Sequence, residues 1–506
     1  MSNLYSTLEK NFPKTKNTCA VETIDGRYYT FDDLRNGSGR IANWLASLNL
    51  PAQSRIAVQV EKSVEAVMLY LAALRAGMVF LPLNTAYRGA EIDYFLKDAE
   101  PAVVICSPEN LIWVQPLAHA AGCRVVKTLG EHADGTLLSA AAPFADTFKT
   151  VKRKPDDLAA ILYTSGTTGR SKGAMLSHEN LASNAQVLKD YWHWQKGDVL
   201  LHALPIFHVH GLFVALHGAL INGSKMLWLA KFDLDAVMRF LPRATVMMGV
   251  PTFYVRLLTD ARLKQELARQ VRLFISGSAP LLAETFHAFK ERTGHAILER
   301  YGMSETIMLT SNPYKGERRS GTVGFALPGV GVRLKDEEGK IISQRKGQTS
   351  AIGAVEVQGP NVFSGYWRMP EKTKEEFTPD GWFKTGDMGQ WDADGYLNLV
   401  GRSKDLIITG GYNVYPKEIE MLIDDMPGVA ESAVIGVPHA DFGEAVVAVV
   451  IPKAGAALDA TAMQQALKGT IANYKVPKRI IVQAALPRNA MGKVQKNVLR
   501  DQLAGS

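Results

Sequence analysis

The stretch LYTSGTTGRSKGAML, Leu162 to Leu176, gathers Ser, Thr, Gly and Lys between two apolar flanks. Gly166 and Gly169 permit close backbone approach, and successive N–H groups there can form an anion-binding nest. Thr164, Ser165, Thr167 and Thr168 add hydroxyls, and Lys172 adds a point charge suited to phosphate. A Walker loop needs four residues between its first Gly and a Gly-Lys-Ser/Thr. Here Gly166 and Gly169 stand too close and Gly173 follows Lys172, so the loop is not of the P-loop kinase or GTPase kind.

Two further groups carry the same flavour of chemistry. In LERYGMSETIMLTSNPY, Tyr301 suits stacking on a nucleobase, Glu305 suits Mg²⁺, and Thr306 can donate to a phosphate oxygen. In GWFKTGDMGQWDADGYLNLVGR, Asp387 sits in a Gly-flanked turn and can accept from a ribose diol, with Arg402 able to reach the same sugar. Near the end, LPRNAMGKVQK presents Lys493 after Gly492, where a cation can meet charge developing in a transition state. Each group alone is also compatible with ordinary packing or a solvated surface.

These residues need a large frame. The chain has 506 residues, 47% of them hydrophobic and 21% charged, with a net charge of +7. It is too long for one ordinary domain. The charge excess is mild and holds no basic arm of the nucleic-acid-binding kind. Three cysteines without a CxxC pair make a poor disulfide framework and suggest a reducing compartment. The N-terminus lacks a signal-peptide core, and the apolar stretch LPIFHVHGLFVALHGALING holds His208, His210 and His217, which argues against a membrane span. A soluble cytoplasmic protein is the expectation.

RIAVQVEKS reads as a strand and VEAVMLYLAALRAG as an amphipathic helix closed by Gly77. AVVICS and RVVKTL are further strands, so an α/β architecture of helix-covered parallel sheets is expected up to about residue 400. GAVEVQGPNVFSGYW and DGYLNLVGR are strand-rich and predict a small β-barrel or sheet. The pattern restarts after Gly401, giving a small α+β unit of roughly 100 residues. The expected division is 1–403 and 404–506, the second unit being mobile.

In this order, YTSGTTGRSKG, ALPIFHVHGL, SGSAPL, ERYGMSET, GWFKTGD, GRSKDLIITGGYNVYPKEIE and PRNAMGKVQK resemble the adenylate-forming superfamily. That superfamily contains acyl-CoA synthetases, adenylation domains and luciferases. The resemblance covers essentially the whole chain and implies ATP, Mg²⁺ and coenzyme A as reactants or cofactor. Thr164, Ser165, Gly166, Thr167, Thr168, Gly169 and Lys172 would bind the β- and γ-phosphates. Ser278, Ala279 and Pro280, with Glu299, Arg300, Tyr301, Gly302 and Met303, would frame adenine. Asp387 and Arg402 would hold the ribose, and Glu305 would bind Mg²⁺.

Lys493, Thr306, Glu305 and His208 would form the catalytic set. Lys404 would be the hinge, while Gly410, Gly411 and Tyr412 would line the passage for pantetheine. Within the superfamily, HALPIFHVHGLFVAL, GVPTFYVRLL, SGSAPLLAETF and TSNPY are similar to malonyl-CoA synthetases. This resemblance implies activation of malonate, with methylmalonate, oxalate or a short fatty acid as alternatives. A cation should hold the second carboxylate, and Arg256 is the candidate, with Ser278, Met303 and His208 completing the pocket. A protein acetyltransferase acting on Lys493 is a possible partner, by analogy with the superfamily. A carrier-linked adenylation module is disfavoured because the chain ends soon after Lys493. A non-catalytic nucleotide-binding protein should have lost Lys493, Glu305 or the loop, and all are present.

Overall fold

The computed structural model describes residues 3–164, 171–409, 412–439, 442–489 and 492–503. The expected residues Ser165, Gly166, Thr167, Thr168, Gly169, Gly410 and Gly411 lie outside these segments.

Among the described residues, four sheets form. A six-stranded sheet runs in the spatial order Val125–Thr128, Val103–Cys106, Arg55–Gln59, Val79–Pro82, Leu158–Thr164, Lys172–Ser177. All its pairings are parallel except the last, where Thr164 stands opposite Lys172. The phosphate-loop candidate is therefore the connection of an antiparallel pair at the sheet's edge. A nine-stranded sheet has a parallel centre of Leu298–Tyr301, Leu273–Ser276, Val246–Gly249, Val199–His202, Lys225–Trp228 and Cys19–Thr23. Parallel strands buried on both faces read as continuous apolar runs, and these are mostly buried throughout.

The helix Val64–Ala76 begins where the Ser63 side chain accepts from the Ala66 N–H, and it ends at Gly77 in the left-handed conformation (φ 69°). Its expected amphipathic face is not found. Twelve of its residues, Val64 to Arg75, are buried, including Glu65 and Arg75. The reason is its position in the shared core. Tyr70 packs on Phe80 of the six-stranded sheet at 5.0 Å between ring centroids, and its hydroxyl meets His217 Nε2 at 2.8 Å. Glu65 accepts from Tyr29, on the edge of the nine-stranded sheet, at 2.8 Å. A helix wedged between layers has no polar face to offer water.

The strand-rich segment forms a four-stranded antiparallel sheet, Gly331–Lys335, Gly353–Gln358, Phe383–Trp391 and Leu397–Arg402. It is the sheet alternative: its outer strands are not paired with each other among the described residues. Next come the short helical turn Ser403–Asp405 and a sheet built on the long hairpin Val429–His439 and Gly443–Pro452. That C-terminal sheet has its own apolar clusters on both faces, one around Ile419, Ile423 and Val446 and one around Ile435, Val447 and Leu499. No helix among the described residues is long and apolar enough to cross a membrane.

Candidate active site

The chemistry-bearing residues converge where the strand ends of the nine-stranded sheet, the four-stranded sheet and one C-terminal turn meet. The hairpin register of Phe383–Trp391 and Leu397–Arg402 puts Asp387 opposite Arg402. Their side chains pair at 2.6 Å, and the Tyr301 hydroxyl donates to the other Asp387 oxygen. The Asp387 backbone N–H is fixed by Thr385 Oγ1 at 3.1 Å. The Asp387 carboxylate holds the Arg402 guanidinium above its ordinary pKa, and burial raises that of Tyr301. Antiparallel pairing thus joins the two residues expected on one ribose, which stand fifteen positions apart in the sequence.

Glu305 is buried, and burial raises its pKa, while a hydrogen bond from the Tyr366 hydroxyl at 2.9 Å favours the carboxylate. Lys172 lies 4.4 Å from the centre of the same Tyr366 ring and 3.6 Å from Glu376. Tyr366 therefore links the lysine of the phosphate loop to the candidate magnesium ligand. The next residues are held firmly. Thr306 Oγ1 accepts from the Met303 N–H at 3.3 Å, and Asn361 donates to the carbonyls of Thr306 and Met308 at 2.7 and 2.9 Å. Ile307 has φ 58° and Ser278 φ 72°. Strained backbone of this kind, costly for a β-branched residue above all, is characteristic of functional sites. No group of three or more His, Cys, Asp or Glu suited to a metal occurs among the described residues. A single carboxylate beside a hydroxyl still fits Mg²⁺, which takes one or two protein carboxylates and completes its shell with water and substrate phosphates.

Lys493 stands on a tight turn. Its backbone N–H donates to Asn489 Oδ1 at 3.0 Å, its carbonyl accepts from the Asn489 N–H at 2.9 Å, and Arg488 donates to the Gly492 carbonyl at 2.7 Å while also pairing with Glu431. The side chain keeps access to solvent but projects into the cleft, where surrounding protein lowers its pKa. Arg402 and Arg300 lower it further, and Asp387 and Glu305 oppose them. Four charged groups of the large unit thus act through their charge on one lysine of the C-terminal unit.

His208, His210, Ser278 and Arg300 form the adjoining corner. Ser278 Oγ and His210 Nδ1 are 3.2 Å apart, and His208 Nδ1 accepts from the His210 N–H at 3.3 Å. Burial, with repulsion from Lys493 and Arg300, pushes the His208 pKa down to about 3, so the ring is neutral. Arg300 is 4% exposed, and its Nε and Nη2 have no hydrogen-bond partner among the described residues. Its guanidinium lies flat on Gly277, where a Cβ would come within 2.3 Å of Cζ. Burial pushes its pKa down to about 9. A buried guanidinium without a carboxylate is costly unless an anion arrives to complete it.

Other expected residues are placed differently. Arg256 is exposed on the helix Pro251–Leu258, 5.8 Å above the Phe232 ring, and is not brought to Ser278, Met303 or His208. The turn of that helix which points inward carries Tyr254, whose hydroxyl donates to the Ile275 carbonyl at 2.6 Å. Glu299, grouped with the adenine frame, is buried and pushed up to about 8 by burial, and it accepts from the Gly321 N–H at 3.2 Å. It braces loops beside the cleft. Ala279 is half-buried, Pro280 is exposed, and Gly302 and Met303 are half-buried beside Tyr301. Tyr412 is exposed and stacks on Tyr474 at 4.5 Å. Lys404 lies in the short turn between the units, its pKa lowered by burial. Tyr366 and Asn361 were not singled out from the sequence, and His210 was read only as one of three histidines in an apolar stretch, the signal that could have marked it.

Residues 8–367 match the family of AMP-binding enzymes, and residues 418–493 match the AMP-binding enzyme C-terminal domain. The chain is 34% identical over 544 residues to a malonate–CoA ligase of Arabidopsis thaliana, covering 97% of this chain and 88% of that protein. Among solved structures, it is similar to ATP-bound MatB from Rhodopseudomonas palustris, at 55% identity, with a TM-score of 0.95 and 100% and 99% of the two chains covered. The apo form of that MatB, with the same identity and coverage, gives a TM-score of 0.86. With both family matches and the convergent cleft in place, the chain belongs to the AMP-binding, adenylate-forming enzymes.

Proposed function

We propose that this protein is an AMP-forming acid–CoA ligase that activates malonate: ATP and malonate give malonyl-adenylate and pyrophosphate, and CoA then gives malonyl-CoA and AMP. The observation that carries the choice of acid is Arg300, a buried guanidinium with two nitrogens, Nε and Nη2, that have no partner among the described residues, near Ser278, His208 and Lys493. A dicarboxylate supplies one carboxylate for reaction and a second that completes Arg300 by a forked charge-assisted pair. A monocarboxylic fatty acid would leave that charge buried and alone. The names of the relatives and of the MatB structures support the same acid. This assignment gives Arg300 the part expected of Arg256, which faces solvent.

In the first half-reaction a carboxylate oxygen attacks the α-phosphorus, the bond to the β-phosphate bridge breaks, and pyrophosphate leaves. Lys493 reaches from the C-terminal turn toward Asp387, Arg402 and Glu305 and would meet the negative charge shared by carboxylate and α-phosphate. Asp387 and Arg402 would orient the ribose, with Tyr301 beside the base. Lys172, parked on Tyr366, would turn to the departing phosphates together with the 164–172 loop. Glu305 and Thr306 would hold Mg²⁺, which when bound neutralises phosphate charge. In the second half-reaction the CoA thiolate attacks the acyl carbonyl and AMP departs. A turn about Lys404 would withdraw Lys493 and bring residues 410–412 to the pantetheine arm. The division 1–403 and 404–506 belongs to the same proposal.

Three free thiols support a reducing compartment, and the cytoplasm is the one proposed. Acetylation of Lys493 by an acetyltransferase would remove its charge and stop the first step, which peptide mapping with pyrophosphate assays would test. The function itself is tested by pyrophosphate release with a panel of acids in the absence of CoA. Malonate, and methylmalonate more weakly, are expected to drive release. Equal or faster release with long-chain fatty acids would overturn the reading.

A further inference from the structure

Lys62 follows the strand Arg55–Gln59 of the six-stranded sheet and precedes the Ser63 cap. It is 7% exposed, and the partners of its Nζ among the described residues include no carboxylate. Its Nζ reaches three acceptors on the other large sheet: the Leu229 carbonyl at 2.6 Å, the His202 carbonyl at 2.8 Å and His202 Nδ1 at 3.0 Å. The Trp228 ring lies 4.1 Å from the same nitrogen. An ammonium has three N–H donors and no acceptor. Burial pushes the Lys62 pKa well below its ordinary value, while three acceptors and an aromatic face give its N–H groups partners without a counter-ion.

The Gly211 carbonyl can only accept, so the neutral His202 ring carries its proton on Nε2, which donates to that carbonyl at 3.0 Å, and Nδ1 is left to accept from Lys62. Gly211 lies in the π-helical turn His210–Leu216. Such turns leave backbone carbonyls without their usual partners and recur at functional sites. The turn is tightly seated, since a Cβ on Gly211 would come within 2.0 Å of the Pro205 carbonyl oxygen. The same turn carries His210 to Ser278, and His208 lies just before it with its carbonyl accepting from the Leu212 N–H at 2.9 Å.

We infer that Lys62 is a positioning residue for acid selection: through His202 and the Gly211 carbonyl it seats the turn that places His208 and His210 against Ser278 and Arg300. Lys62 itself does not touch the acid. Removal of its donors leaves His202 Nδ1 and two carbonyls bare in a buried site, so the ring is no longer held from behind and its grip on the Gly211 carbonyl, and with it the seat of the turn, loosens. The inference rests on the reading of the acid pocket given above.

The test is pyrophosphate release by Lys62→Met, Lys62→Gln, His202→Leu, His202→Gln and Arg300→Met, normalised to active sites. Lys62→Met and His202→Leu are expected to raise the KM for malonate at least tenfold, with the KM for ATP changed less than threefold. His202→Gln keeps a donor for Gly211 and is expected to recover most of the malonate KM. Should Lys62→Met fail to fold, Lys62→Gln, which retains two donors, is expected to show the same selective rise at a smaller size. A fall in kcat or thermal stability with an unchanged ratio of the two KM values, in any Lys62 variant that folds, would overturn the inference. An unchanged malonate KM in Arg300→Met would instead overturn the acid-pocket reading, whatever Lys62 does.

Discussion

At the residue scale, the proposed reaction would divide its work between two cations, Lys493 for the reacting centre and Arg300 for the acid that enters it. Lys493→Ala is expected to lower adenylate formation by at least a hundredfold, while conversion of supplied malonyl-adenylate to the thioester changes less than threefold. Equal losses in both half-reactions, measured by single turnover, would contradict this division. Away from the cleft, His178 Nδ1 accepts from the Leu4 N–H at 3.1 Å, and burial pushes its pKa down to about 4 from an ordinary 6.5. Below pH 6.5 the unfolded chain binds a proton that the folded one refuses, so this residue's contribution is full above that pH and is lost toward pH 4. The contribution is on the order of 3 kcal/mol across that window. His178→Gln is expected to flatten the acid limb of melting temperature against pH, which calorimetry at pH 7, 6 and 5 would read. An unchanged limb would contradict it. In the sequence Lys493 stood out through the resemblance of PRNAMGKVQK to the family, whereas Arg300 was legible only as a member of the adenine segment. What distinguishes it is an absent partner, and partners come from the fold.

At the element scale, the precision of the site comes from turns braced at their ends. The Lys493 turn hangs on Arg488, which joins the Gly492 carbonyl to Glu431 on the strand Val429–His439. Arg488→Met is expected to slow adenylation about tenfold and to leave the thioester step within twofold, since the turn loses its anchor only where Lys493 must be aimed. Comparable losses in both steps would point to a damaged C-terminal unit instead. Strands and helices were readable from their apolar periods, as at Arg55–Gln59, Leu158–Thr164 and Pro251–Leu258. Two features were not. The helix Val64–Ala76 scored as amphipathic because Glu65 and Arg75 mark its ends, but both are buried, Glu65 by a hydroxyl and Arg75 by carbonyls and a hydroxyl. Arg256 shares a helix with Tyr254, and periodicity alone could not say which side chain faced inward.

At the scale of the whole molecule, two units with separate apolar cores meet over the cleft, joined through the Ser403–Asp405 turn. Their contacts among the described residues include polar pairs, Lys453 with Glu284 at 2.6 Å and Asn413 with Glu337. Exposed ion pairs of this kind add little stability and suit an interface that must part. The chain lies nearer the ATP-bound than the apo MatB arrangement, which agrees with Lys493 facing Asp387 and Glu305. Lys404→Pro, by fixing φ in the turn, is expected to slow the thioester step at least tenfold with adenylation little changed. An unaffected thioester step would place the hinge elsewhere. The two-unit order was legible because the strand–helix pattern restarts after Gly401. Their juxtaposition was legible only through the family resemblance, since it joins residues about a hundred or more positions apart through space. The most direct measurement of the central claim is the KM for malonate and for butyrate, by pyrophosphate release, in the native chain and in Arg300→Met. Loss of the buried guanidinium is expected to raise the malonate KM at least thirtyfold and to lower or leave unchanged that for butyrate. A malonate KM unmoved by Arg300→Met would contradict a pocket built for a dianion.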